Sequence, residues 1–276
     1  MDDIGPYAAG LIDTYASAYE NVYDISFGEL PKVDVVDRDA LKGYMLDEEH
    51  TRLGRELTED ERVEVVQNSY MVFSRAEGMY EPTSHTVLLM DKESLEPRSP
   101  RFRNLVAHEL VHAYQRNRGA SANDIVARYD ASREGLDENG RIVQDYQLYP
   151  TFALLEGMAD RMSEGMLEYL VGTGETSPED LQYFTETVQN AHQLDRQKAQ
   201  KNHSVYGMIV GKARDGITLS ETDLIILGMS RKAEYGMGYL YADSAFKDGR
   251  SPDDLLASLP LSLDTLETGI AKYGEQ

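Results

Sequence analysis

Two histidines and a glutamate in the string His108-Glu109-Leu110-Val111-His112 have the types and spacing of a hydrolytic metal site. Side chains four apart on a helix share one face about 6 Å apart, so both imidazoles can grip one zinc ion. The glutamate after the first histidine can reach a water on that metal and take its proton. A chain of this composition supplies such a string by chance roughly 0.01 times, so the pattern is informative despite its length.

The string must sit on a helix to work, and its flanks supply one. Ser99 is a natural N-cap, Pro100 suits a first turn, and Gly119 stops the helix behind Arg116 and Arg118, whose charges suit a helix C-terminus. Phe102, Leu105, Val106, Leu110, Ala113 and Tyr114 make this helix mostly apolar, so His108 and His112 are expected to be largely buried. Buried imidazoles need partners, and a metal uses both at once.

Two histidines leave zinc short of protein ligands, and the third names the class. The three-histidine pattern requires Gly at 115 and His at 118, where this chain has Gln115 and Arg118. The chain offers instead Leu154-Leu155-Glu156-Gly157-Met158-Ala159-Asp160 on a second apolar helix. Glu156 and Asp160 are four apart on one face, so one can ligate metal while the other accepts a hydrogen bond from a ligating imidazole. Gly157 allows a close approach beside them. Glu134, in the run Ser132-Arg133-Glu134-Gly135, is the rival ligand.

With His108-Glu109-x-x-His112 followed by Glu156-Gly157-x-x-Asp160, the chain resembles the gluzincin zinc metallopeptidases, the thermolysin-like superfamily. The segment Val106 to Gln115 is similar to one branch of that group, as are, with less specificity, Tyr235 to Leu240 and Leu255 to Pro260. The resemblance covers about residues 78–267. It implies that His108, His112 and Glu156 bind Zn2+, that Glu109 is general base and then proton donor, and that Asp160 orients His108. It also implies a Tyr or His facing the tetrahedral oxyanion, for which Tyr235 and His203 are the leading candidates and Tyr206 and Tyr239 the others. The implied function is zinc-dependent hydrolysis of a peptide or unfolded protein. The alternative is a metal-binding protein with little turnover that acts as an interaction module.

Elements around these motifs suggest the scaffold. Tyr7 to Tyr23 has helical periodicity, Val33 to Val36 reads as a short strand, and Thr58 to Glu61 as a capping box. Tyr70 to Ser74, Gly78 to His85 and Thr86 to Met90 follow, and β-rich runs around a Pro/Ser turn predict a hairpin just before the metal helix. An extended substrate could add itself to such a sheet edge. Ala120 to Arg141 reads as a long polar excursion. Helices are then expected from Thr151 to about Val171, Pro178 to Gln200, Glu221 to Met229 and Gly236 to Phe246. The expected fold is α+β and zincin-like. An N-terminal lobe (1–118) carries a small mixed sheet and the active-site helix, and a mainly helical C-terminal lobe (119–276) carries the third ligand, with the cleft between them.

Composition narrows the partners. The 276 residues carry a net charge of −22, an acidic balance that argues against nucleic acid and anionic membranes. Acids spread along the whole chain, and arginine outnumbers lysine about two to one, as expected of a salt-adapted, halophilic surface. There is no cysteine, which removes disulfides, thiol catalysis and Cys-ligated zinc. An acidic start without an apolar run, and the lack of any stretch near the roughly 20 apolar residues of a bilayer span, lead to the expectation of a cytoplasmic protein. Residues 1–77 resemble no known family.

Overall fold

A computed structural model of the chain describes residues 4–93, 95–121, 124–125, 136–194, 208–220, 222–223, 234–262 and 265–266, apart from the side chains of 138, 145, 146, 234 and 235. It is a mixed α+β protein whose contacts divide it into two units, Met1–Asn123 with Gly165–Tyr183, and Asp124–Glu164 with Phe184–Gln276. The chain re-enters the first unit after leaving it.

In the first unit the sheet has three strands: β1 (Lys32–Val36), β2 (Gly78–Glu81) and β3 (Thr86–Met90). Their order is β1-β3-β2, with β1 parallel and β2 antiparallel to β3, so the sheet is mixed and β3 is central. All five residues of β3 are buried, as a strand covered on both faces requires. One face is covered by a helical pair, α2 (Arg38–Leu53) and α3 (Glu59–Arg75), whose Leu41, Tyr44, Met45, Val72 and Phe73 pack with Val36, Leu88, Met90 and Met79. Strand alternation turns Val87, Leu89 and Tyr80 to the opposite face. There α1 (Ile4–Tyr23) and α4 (Pro100–Asn117) pack on each other and on the strands.

Tyr70 to Ser74, expected as extended, is the last part of α3. The capping box that starts this helix forms in full, with Thr58 bonded to Glu61 and Glu61 bonded back to the Thr58 N–H. Val72 and Phe73 then bury against the sheet from a helix, so packing overrides their β-propensity. The first strand of the hairpin is Gly78–Glu81. An added Cβ at Gly78 would meet Leu105 of α4 at 3.1 Å, so a glycine there lets strand and helix approach closely.

Helix α4 forms as its flanks dictate: Ser99 accepts from the Phe102 N–H, Pro100 opens the first turn, and Gly119 follows at φ 66°. Its buried side is largely aromatic. Tyr19 of α1 donates to the Ala107 carbonyl at 3.0 Å, Phe27 packs edge-on against Tyr114, and Tyr7 stacks on Phe102. Arg103 forks onto the buried Asp180 carboxylate of α6 (Pro178–Tyr183), at 2.9 and 2.8 Å from its Nε. The motif-bearing helix is thus held along its length by neighbours of its own unit.

Helix α5 (Glu138–Thr173) contributes residues to both units and passes through Pro150. A helix beginning at Thr151 was expected, because proline lacks the N–H that the carbonyl four residues earlier needs. Packing keeps the helix going: Leu148, Pro150 and Thr151 are all buried, and the Thr151 hydroxyl accepts from the Leu261 N–H at 3.0 Å. Beyond α6 the helix continues through a π-helical turn, Phe184–Gln189. Helical residues 208–214, α7 (Glu234–Lys247) and α8 (Pro252–Ala257) complete the described part of the second unit. The expected helix from Glu221 to Met229 and most of the excursion from Ala120 to Arg141 lie outside the described residues.

Candidate metal centre

On α4 the two imidazoles face each other as the four-residue spacing requires. Nε2 of His108 and Nε2 of His112 are 3.1 Å apart, with the rings nearly perpendicular at 79°. The other nitrogen of His112, Nδ1, lies 2.8 Å from Oε1 of Gln115. That amide oxygen accepts only, so Nδ1 carries the proton and Nε2 presents a lone pair. Gln115 is buried at 1% exposure, which fixes the imidazole more firmly than a surface partner could. At the sequence level this residue served only to rule out the three-histidine pattern. Its position three residues after His112 was the available signal.

Gln115→Leu keeps the volume and removes the acceptor, so zinc affinity should fall about tenfold. Competition with a chromogenic chelator measures this, and an unchanged affinity would remove Gln115 from the site.

Between the histidines Glu109 is buried, and its Oε2 accepts from the Tyr80 backbone N–H of β2 at 2.7 Å. Strand β2 is an edge of the sheet, so this N–H has no neighbouring strand to serve. The hairpin placed before the metal helix thereby acquires a definite role: its edge holds one oxygen of the glutamate. Next to Tyr80, His85 is fixed between the Tyr80 hydroxyl (2.6 Å) and the Glu29 carbonyl (3.1 Å), which braces the hairpin end.

His108, His112 and Glu156 each offer one ligand atom, and these atoms all lie within 4.8 Å of one another. All three residues are half-buried. Among the described residues they are the group of His and acid side chains that could hold a metal ion. The donor set is two nitrogens and a carboxylate oxygen, which suits zinc. Tetrahedral coordination with bonds of about 2.0–2.1 Å puts neighbouring nitrogens about 3.3 Å apart, close to the 3.1 Å seen.

Glu156 owes its place to the glycine after it. A Cβ on Gly157 would lie 1.9 Å from the backbone nitrogen of Tyr239, and one on Gly238 would lie 1.6 Å from the Ala153 carbonyl oxygen. Helices α5 and α7 therefore cross backbone to backbone at this point. The Tyr-Gly-Met-Gly-Tyr run of α7 makes that crossing, a use that its composition alone did not reveal.

The acids of α5 continue past Glu156 at four-residue intervals. Asp160 is buried, with Oδ2 2.9 Å from Nε2 of His192. Glu164, also buried, accepts from the Tyr239 hydroxyl at 2.5 Å and from the Gln189 amide at the end of the π-helical turn. Burial and the Glu164 carboxylate push the Tyr239 phenol far above its ordinary range, so it stays a neutral donor to Glu164. Of the other oxyanion candidates, His203, Tyr206 and the side chain of Tyr235 lie outside the described residues, as does the rival ligand Glu134.

Comparison with protein-family models, with curated proteins and with solved structures gives no match to this chain.

Proposed function

We propose that the chain is a zinc-dependent peptidase of gluzincin type with a zincin-like arrangement of sheet edge, motif helix and ligand helix. The observation that carries the reading is the convergence of one ligand atom each from His108, His112 and Glu156 within 4.8 Å, with Glu109 buried between the histidines. A site built only to store metal has no use for a buried carboxylate at that position.

His108, His112 and Glu156 would hold the ion, leaving a position open as catalytic zinc sites do. When bound, zinc supplies the Lewis-acid charge that polarises a carbonyl and acidifies water. Glu109 removes a proton from the attacking water and returns it to the amine that leaves, so the two atoms of hydrogen end on the new carboxyl side and the new amine. The Tyr80 N–H holds one Glu109 oxygen in place and leaves the other to exchange the proton. Asp160, on the same face as Glu156, would be the carboxylate that orients His108. The edge strand β2 offers a line along which an extended peptide can lie.

The substrate would be a peptide or an unfolded protein, met by a chain whose acidic surface suits high salt. No described helix is long and apolar enough to cross a membrane. The test is metal analysis together with peptide-library cleavage at high salt. The purified chain should carry close to one zinc, lose cleavage on chelation and regain it with added zinc. Zinc binding without cleavage of any library member would sink the peptidase reading and leave a metal-binding protein without turnover.

A further inference from the structure

His192 has no part in the chemistry above, yet three separate contacts hold it. Its ring stacks on Tyr239 at 4.8 Å and 19°. Its backbone carbonyl lies where a Cβ on Gly236 would come within 2.6 Å. Its Nε2 lies 2.9 Å from Asp160 Oδ2. Both ring nitrogens are shut off from solvent, and neither makes a well-aligned hydrogen bond. The Asp160 contact is short enough for one.

A buried imidazole without acceptors is costly. The Asp160 carboxylate offers His192 an acceptor 2.9 Å from Nε2. The partner of Asp160 comes from the segment after the π-helical turn, and the glycine-bearing face of α7 clamps that partner by ring and by backbone.

We propose that His192 is a positioning residue for the metal site: its Nε2–H donates to Asp160, fixing the carboxylate one turn from Glu156 and so setting the ligand face of α5. The proposal rests on the metal-binding half of the reading above and not on turnover. In this arrangement Asp160 cannot swing away from the ligand face, because the ring that holds it is fixed by Tyr239 and by the Gly236 contact.

The experiment compares zinc affinity, by chelator competition, in wild type, His192→Phe, Asp160→Asn and the double variant. Phenylalanine keeps the stack on Tyr239 and removes the nitrogen. Affinity should fall about tenfold in His192→Phe and should fall no further when that change is added to Asp160→Asn. Wild-type affinity in His192→Phe, or an undiminished loss in the Asp160→Asn background, overturns the proposal. If the phenylalanine variant does not fold, His192→Gln and His192→Met decide: the amide donor should bind zinc more tightly than the thioether, and equal affinities overturn it. Nitrogen-15 spectra of the metal-free chain should show the Nε2–H tautomer of His192, and the Nδ1–H tautomer would also overturn it. A wild-type chain that binds zinc but cuts no peptide ends the peptidase reading and leaves every one of these comparisons intact.

Discussion

Glu109→Gln should retain zinc and lose peptide hydrolysis about a thousandfold. Glutamine has the shape of the residue it replaces, and its carbonyl oxygen can still accept from the Tyr80 N–H, so the pocket around it has no reason to move. What it cannot do is take a proton. The metal ligands are untouched, so zinc content and affinity report on the fold while kcat/KM reports on the base. Loss of both together would mean that Glu109 is a structural residue of α4. Full activity in the variant would place the base elsewhere and remove the chemistry assigned to the motif.

Gly238→Ala should be nearly as severe by a different route. The new methyl would sit 1.6 Å from the Ala153 carbonyl oxygen, a backbone atom with no rotamer to change, so α5 and α7 must separate. Overpacking of this kind costs about 3 kcal/mol. Because the crossing is centred on Gly157, next to Glu156, zinc affinity should fall with stability. Gly172→Ala on α5 is the control, since nothing lies within 4 Å of its added Cβ. There the higher helix propensity of alanine should leave stability unchanged or raised by up to about 1 kcal/mol. Denaturation by urea and zinc titration of the two variants measure the contrast. Equal stabilities would show that α7 can shift without loss.

The parts of this site that sequence makes visible are those encoded by local spacing. His108 and His112 are neighbours because α4 is a helix, and α4 is legible because Ser99, Pro100 and Gly119 bound it in the chain. Thr58 and Glu61 announce α3 for the same reason. The run from Tyr70 to Ser74 misleads, because β-propensity is weak against a capping box and a buried helical face. Pro150 misleads in the other direction, since the cost of a missing N–H is offset by packing on both sides of it. Tyr80 could not have been found from its side-chain type, because it serves Glu109 through its backbone. His192 stands far from both motifs in the chain, and only its packing against α7 ties it to Asp160. Gln115 lay in plain view, three residues after His112, and lacked only the question of what its acceptor was for.

The strand order has a kinetic consequence. β2 and β3 are joined by a tight turn and can zip together locally, whereas Lys32 meets Thr86 only after the chain has carried two whole helices between them. Closing that parallel pair carries a larger loop entropy than the hairpin does, so β1 is expected to dock late and to set the folding rate. His108, His112 and Glu156 all lie after the sheet in the chain. The β2-β3 hairpin can therefore form before Glu156 has been synthesised, and completion of the proposed zinc site would come as a later step.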